Sequence, residues 1–132
     1  MARVIQLSEA ASLAIHAMIL IGRSEQIINV NKIAEITGSS RNHLAKVMQR
    51  LVKDNYVKST RGPSGGFILN RKPAEITLLD IYQSLEGAIT NTGCPINHTV
   101  CPFDKCLMGG IISKLSDEFK NYLENQTLES YL

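Results

Sequence analysis

The sequence predicts a mainly α-helical fold with one small β-hairpin, and three observations support this. Apolar residues recur at helical spacing through most of residues 9–53. Residues 56–69 combine two short β-forming stretches with a glycine-rich turn. An apolar stripe of helical period runs from Leu107 to Glu124. The chain of 132 residues is about one domain long, and its 44% hydrophobic and 20% charged residues are typical of a globular protein.

Three helices are expected in the first part of the chain, each preceded by a serine or asparagine suited to capping a helix. They are Glu9–Ile21 after Ser8, Val30–Thr37 after Asn29, and Arg41–Lys53 after Ser40. The first is apolar around most of its circumference, so we expect it to be buried, with His16 as a hydrogen-bonded core residue. Gly38 supplies the positive φ that ends the second helix.

The third predicted helix is amphipathic. Its apolar side carries Leu44, Val47, Met48 and Leu51. Its opposite side is polar and basic, and carries Arg41, Asn42, His43, Lys46, Gln49 and Arg50. After this helix, Tyr56–Thr60 and Phe67–Leu69 are predicted to be the strands of the hairpin, joined by the turn Arg61–Gly66. Pro73 ends the hairpin.

Two further helices are predicted in the second half. Thr77 and Asp80 form a capping box for a helix that ends near Glu86. Gly87–Lys105 has no apolar periodicity, and the long helix Leu107–Glu124 follows it. This division predicts a DNA-binding domain over residues 1–87, a cysteine-containing loop over 88–106, and a dimerisation helix with its tail over 107–132.

The net charge of +2 hides an uneven distribution. Residues 32–72 hold nine Lys and Arg against two acidic residues, a net charge of +7. The rest of the chain holds five basic against ten acidic residues, a net charge of −5. A basic surface on an otherwise acidic protein is typical of a protein that binds a polyanion.

A helix, a glycine turn, a basic helix and a glycine-tipped hairpin form the plan of a winged helix-turn-helix, which binds double-stranded DNA. We expect base contacts from the start of the third helix, and phosphate contacts from Lys46, Arg61 and the wing backbone. The candidate DNA-binding residues are Ser40, Arg41, Asn42, His43, Lys46, Arg61, Gly62, Ser64, Gly65 and Gly66. A basic helix alone is more often only a solvated surface, but the tandem pattern favours DNA binding.

Other function classes lack support in the sequence. The glycine turn lacks the Gly-Lys-Ser/Thr ending of a phosphate-binding loop and precedes a strand rather than a helix. No catalytic motif is present, so we expect no enzyme. The apolar run Leu13–Ile21 is too short to span a bilayer and no signal-cleavage pattern follows it, which predicts a cytoplasmic protein without membrane contact.

The three cysteines, Cys94, Cys101 and Cys106, lie within thirteen residues of one another. Such a cluster is a poor disulfide framework, and in a reducing compartment it more often binds metal or senses redox state. Thiolates are the usual ligands of iron–sulfur clusters. Two alternatives remain open: a zinc site that also uses His98, and a metal-free thiol switch.

Over nearly its whole length the chain resembles the Rrf-type family of bacterial winged-helix regulators, which includes members that sense iron–sulfur status or nitric oxide. The resemblance rests on the wing motif Arg61-Gly62-Pro63-Ser64-Gly65-Gly66-Phe67, on Ser40-Arg41-Asn42-His43 and on Ile76-Thr77-Leu78-Leu79-Asp80-Ile81. It implies a homodimer that binds partly palindromic operator DNA and is held together by the long C-terminal helix, here Leu107–Glu124.

The resemblance also places the three cysteines where cluster-binding members carry their ligands. It implies an iron–sulfur cluster, 2Fe–2S or 4Fe–4S, that controls operator affinity. A histidine or a carboxylate completes the ligand set in such members. Here Gly109 occupies the position of that histidine, and Ser12 lies at the position of the carboxylate. The possible fourth ligands are Glu9, His98 and Asp104.

Overall fold

The structure, a computed structural model, describes residues 7–89 and 102–132. Within these residues it contains five α-helices and one antiparallel hairpin, which confirms the predicted fold class. The elements are α1 Glu9–Arg23, α2 Val30–Thr37, α3 Arg41–Lys53, β1 Val57–Thr60, β2 Gly66–Leu69, α4 Leu78–Glu86 and α5 Ile111–Glu124. Short 3₁₀ turns lie at Pro73–Glu75 and Leu128–Tyr131.

The predicted helix caps are all present. The side chains of Ser8, Asn29 and Ser40 accept hydrogen bonds from backbone N–H groups in the first turns of α1, α2 and α3. Gly38 ends α2 with a φ of 68°. Thr77 and Asp80 exchange both hydrogen bonds of a capping box at the start of α4. Because these signals are local, the bounds of α2 and α3 match the sequence prediction.

The core forms around α1, which packs against α2, α3, α4 and β2. Ala14, Ala17 and Met18 of α1 are fully buried there. The small alanines let neighbouring helices approach closely, and the apolar side of α3 fills the facing space. Other buried members of this cluster are Ile33, Leu44, Val47, Met48, Leu51, Val57, Ile76 and Ile81.

The C-terminal residues return to this core. Backbone hydrogen bonds join Leu78 N to the Gln126 carbonyl (2.9 Å) and Leu128 N to the Ile76 carbonyl (3.0 Å). The Leu128 side chain is fully buried. Arg23 also donates to the Tyr131 carbonyl (2.7 Å). The end of α5 is therefore fixed to the same core as the first four helices.

Two sequence predictions need correction. The last helix begins at Ile111 rather than Leu107, because Gly109 and Gly110 adopt left-handed φ angles of 61° and 75° that interrupt a helix. His16 is exposed rather than buried in the core, although its Nδ1 lies 2.7 Å from the Ser12 carbonyl as a hydrogen-bonded residue would. Among the described residues, no helix is long and apolar enough to cross a membrane.

Candidate nucleic-acid interface

The solvent-facing side of α3 is a row of polar residues. Asn42, Lys46, Gln49 and Lys53 are all exposed, and they lie opposite the buried Leu44, Val47, Met48 and Leu51. The spacing of three or four residues places the row along one side of the helix. Gln49 was not among the predicted site residues, although its spacing from Asn42 and Lys46 already places it on this side. We call Asn42, Lys46 and Gln49 the outer row of α3.

Arg41 and His43, both predicted to contact bases, lie on the two flanks of α3. The Arg41 guanidinium donates to Asn31 Oδ1 on α2 (2.9 Å). The half-buried His43 places its Nδ1 3.7 Å from Glu9 Oε1 at the start of α1. Their roles in DNA binding stay a prediction, and the structure adds that each has a polar neighbour on an adjacent helix.

The hairpin places Arg61 and Ser64 at its exposed tip. β1 and β2 pair with Val57 opposite Leu69 and Thr60 opposite Gly66. Phe67 also pairs with Ile28, through N···O distances of 2.8 and 3.4 Å, so the segment before α2 extends the sheet. The tip therefore extends from a hairpin whose second strand is also paired with the segment before α2.

The wing glycines have different structural roles. Gly62 has a φ of 106° and no atom near the position of an added Cβ. At Gly65 an added Cβ would lie 2.1 Å from the Thr60 carbonyl oxygen, and at Gly66 it would lie 2.4 Å from the Ile28 carbonyl oxygen. These contacts are with backbone atoms, which have little room to move. Gly65 and Gly66 are thus needed for the packing of the wing itself.

We expect Gly65→Ala and Gly66→Ala each to lower the free energy of unfolding by about 1–3 kcal/mol, because the hairpin backbone must shift to relieve the contact. Ser64→Ala, in the same turn but exposed, is the matched control and should change it by less than about 0.5 kcal/mol. Denaturant unfolding measures all three. Wild-type stability of both glycine variants would contradict the assigned packing role.

Cys106 is the one predicted cysteine ligand within the described residues, since Cys94 and Cys101 lie outside them, as does His98. Its thiol is exposed and lies beside the turn that precedes α5. Hydrogen bonds from the backbone N–H groups of Gly110 and Met108 lower the pKa of this thiol. The left-handed Gly109 and Gly110 thus form a turn whose N–H groups favour a thiolate at Cys106.

Two of the possible fourth ligands, Glu9 and Asp104, lie within the described residues. Asp104 is exposed two residues before Cys106, whereas Glu9 lies beside His43 at the start of α1. Within residues 7–89 and 102–132, no three His, Cys, Asp or Glu side chains are grouped closely enough to hold a metal ion.

Helix α5 carries an apolar surface that its own chain covers only in part. Phe119 packs edge-on against Tyr82 of α4, with ring centroids 5.4 Å apart, and Leu123 is buried. In contrast, Ile111 is 41% and Tyr122 57% exposed. Just before the helix, Leu107 is 76% and Met108 43% exposed. Several exposed large apolar side chains on and just before one helix are typical of an interface.

Comparison with known proteins places these features in a known group. A family model described as "Rrf2: Iron-dependent Transcriptional regulator" matches residues 7–132. The HTH-type transcriptional regulator IscR of Escherichia coli K12 / DH10B is 31% identical over 96 residues. The match covers 73% of this chain and 59% of that protein, so it spans less than two thirds of the relative's length.

Solved structures of transcriptional regulators share the fold. CymR, the global cysteine regulator of B. subtilis, superposes with a TM-score of 0.79 at 27% identity, covering 98% of this chain and 99% of CymR. T. potens IscR superposes with a TM-score of 0.75 at 27% identity, covering 96% of this chain and 85% of IscR. The relatives with curated names are regulators rather than enzymes.

Proposed function

Because this chain belongs to the Rrf2 family of transcriptional regulators, we propose that it is a homodimeric, cytoplasmic repressor or activator that binds operator DNA and is controlled by an iron–sulfur cluster. The observation that carries the DNA-binding part is the exposed outer row of α3, together with a wing tip that is also exposed. Both lie in the segment whose net charge is +7.

DNA binding follows from the shape and chemistry of this surface. The major groove is wide enough to admit an α-helix such as α3. Amide side chains such as those of Asn42 and Gln49 form paired hydrogen bonds with adenine, whereas Lys46 suits phosphate. Arg61 at the wing tip is exposed, which supports a contact with the sugar–phosphate backbone of DNA. Ser40, whose side chain caps α3, holds the N-terminal turn in position.

We expect Asn42→Ala and Arg61→Ala to weaken DNA binding in different ways. Loss of a base contact at Asn42 should cost about 1–3 kcal/mol on the operator and little on unrelated DNA. Loss of a phosphate contact at Arg61 should weaken binding to all sequences and lower the salt slope by about one ion. Fluorescence anisotropy with a duplex selected from a random library, and with a scrambled duplex, measures both.

The matched control is Asn121→Ala, which removes the same side chain from an exposed position on α5. It should bind both duplexes as the wild type does. Equal losses on operator and scrambled DNA for Asn42→Ala would refute its base contact.

The proposed dimer uses the apolar surface of α5 together with the residues that precede it. A second unpartnered surface lies along α1, where an open groove of about 850 Å³ is lined in part by Leu7, Leu20 and Ile36. Leu7 and Ile36 are exposed large apolar residues. A second copy would cover such surfaces and place two copies of α3 on successive turns of DNA, as a palindromic operator requires.

We propose that Cys94, Cys101 and Cys106 hold the cluster, with Glu9, His98 or Asp104 as the fourth ligand. The one ligand environment described, at Cys106, suits such a group, because the thiol is exposed and backbone hydrogen bonds lower its pKa. A bound cluster supplies sensitivity to redox state, to nitric oxide or to iron–sulfur status. The chain's own contribution is to connect the cluster-binding loop to α4 on one side and α5 on the other.

A metal-free thiol switch is the second candidate, and the same observation favours it. A lowered thiol pKa and an exposed sulfur are what a redox-sensitive cysteine requires. A zinc site remains the third candidate. Analysis of iron, zinc and acid-labile sulfide after anaerobic purification separates the three candidates. The cluster requires iron and sulfide, the zinc site requires zinc, and the thiol switch requires none of them.

A further inference from the structure

Three polar side chains connect the last turn of α3 to the last turn of α4. Arg50 Nε donates to the Ser84 carbonyl (2.8 Å) and lies 3.7 Å from Asp54 Oδ2. The Ser84 hydroxyl donates to the same Asp54 oxygen. Ser84 is 6% exposed and is the one buried polar residue in the part of the chain that the structure describes. We call Arg50, Asp54 and Ser84 the α3–α4 clamp.

The clamp meets a specific requirement of α4. The last four carbonyl groups of a helix lack partners within the helix. The N–H of Gly87 bonds the Gln83 carbonyl, and the next carbonyl, that of Ser84, accepts from Arg50 instead. A cation is also favourable at the C-terminal end of a helix. Arg50 therefore caps α4 from α3. Asp54, which accepts from the Ser84 hydroxyl, lies beside the guanidinium.

The two helices joined by the clamp have different roles in the proposed function. Helix α3 carries the outer row that faces DNA. Helix α4 ends at Glu86, and the chain then enters the segment that contains all three cysteines. The Ser8 hydroxyl, which also caps α1, donates to Glu86. The end of α4 is thus tied by side-chain hydrogen bonds to α3 and to α1.

We propose that Ser84 is a positioning residue that transmits the state of the cysteine segment to α3 through Arg50 and Asp54. This inference rests on the proposed function. A shift or rotation of the last turn of α4 moves the Ser84 carbonyl and hydroxyl together. Because Arg50 and Asp54 both lie at the end of α3, that helix must follow or lose a partly buried hydrogen bond. The outer row of α3 would then change its position relative to the same row in the second copy of the dimer.

A double-mutant cycle between Ser84 and Cys106 tests the inference without requiring the identity of the cofactor. Operator affinity is measured for the anaerobically purified wild type, Cys106→Ala, Ser84→Ala and the double variant, with the library-selected duplex as the probe. We expect Cys106→Ala to change affinity about five- to 150-fold in the wild-type background. The change should be smaller in the Ser84→Ala background, which loses the hydroxyl bond to Asp54 but keeps the carbonyl that accepts from Arg50. If Ser84 only supported the fold, Ser84→Ala would change operator affinity, but Cys106→Ala would cause the same fold-change in both backgrounds.

Asp54→Asn gives a second cycle in case Ser84→Ala folds poorly, because it keeps an oxygen for the Ser84 hydroxyl and removes the charge beside Arg50. The matched control is Ser24→Ala, which removes a half-buried hydroxyl that donates to the Gln26 carbonyl, away from the clamp. In the Ser24→Ala background, Cys106→Ala should change operator affinity by the same factor as in the wild type. If Cys106→Ala acts equally in the wild-type, Ser84→Ala and Asp54→Asn backgrounds, the clamp carries no signal and only this inference fails. If Cys106→Ala has no effect in the wild type, regulation by the cysteines fails and the inference with it.

Discussion

Ile111→Glu is expected to convert the protein to a monomer and to abolish operator binding. Ile111, Tyr122, Leu107 and Met108 form the exposed apolar surface at α5. A carboxylate in an apolar interface pays the desolvation penalty of a buried charge and appears twice in a symmetric dimer. A monomer binds only one half-site of the operator. It therefore loses the increase in affinity that comes from binding two half-sites at once, about 10²- to 10⁴-fold. Sedimentation velocity and anisotropy measure the two effects.

Ile111 and Tyr122 are better test positions than Ile112 and Leu115, which lie on the same predicted stripe. The latter two are half-buried within the chain, so a charge there would also disturb its own packing. Asn121→Glu is the matched control, since it adds the same charge to an exposed position away from the stripe. It should remain dimeric. A dimeric Ile111→Glu, Tyr122→Glu double variant would show that the interface lies elsewhere.

Alanine substitution of Cys94, Cys101 or Cys106 is expected to abolish the visible absorption of the cluster and to shift operator affinity in one common direction. Each substitution removes one of the three cysteine ligands. The proposed ligand set contains only one further residue to hold the cluster. A coupling of about 1–3 kcal/mol, typical of allosteric proteins, corresponds to a five- to 150-fold change in affinity. Absorption spectra of anaerobically purified protein, and anisotropy with the same samples, check both parts.

Ser116→Ala is the control for these variants, because its hydroxyl donates to the Ile112 carbonyl within α5 and lies outside the cysteine segment. It should keep both the absorption and the affinity. Cysteine variants that lose the absorption yet bind the operator as the wild type does would make the metal site structural. Variants that retain full absorption would remove the cysteines from the ligand set.

The elements that the sequence predicted well are those set by local signals. Helices α2 and α3 have the predicted bounds because Asn29, Ser40 and Gly38 define their ends through hydrogen bonds and backbone angles within a few residues. The capping box of Thr77 and Asp80 is equally local. The basic outer side of α3 followed from the 3.6-residue period alone.

Features that depend on distant contacts were not predicted. The return of Leu128 to the core requires pairing with Ile76, some fifty residues earlier, and no pattern within the tail announces it. The packing role of Gly66 depends on the Ile28 carbonyl in another segment. The engagement of Arg50 with Ser84 likewise appears only when α3 and α4 lie side by side.

Helical periodicity also misplaced the start of α5. Leu107 and Met108 continue the apolar spacing of the helix, but the consecutive glycines at 109 and 110 adopt left-handed conformations before it begins. In the sequence those glycines lie inside an otherwise helical pattern. The low helix propensity of glycine does not by itself show that the helix begins after them. Their place beside Cys106 gives them a second role, since the Gly110 N–H lowers the pKa of its thiol and the Gly109 N–H donates to its carbonyl (3.1 Å).

The most direct test of cluster-controlled DNA binding is the operator dissociation constant of one anaerobic preparation, measured before and after its cluster is removed with ferricyanide and EDTA and its thiols are re-reduced. The proposed function predicts that the constant changes at least about fivefold, in the same direction as in the three cysteine variants. An unchanged dissociation constant, with the cluster demonstrably gone, would contradict it.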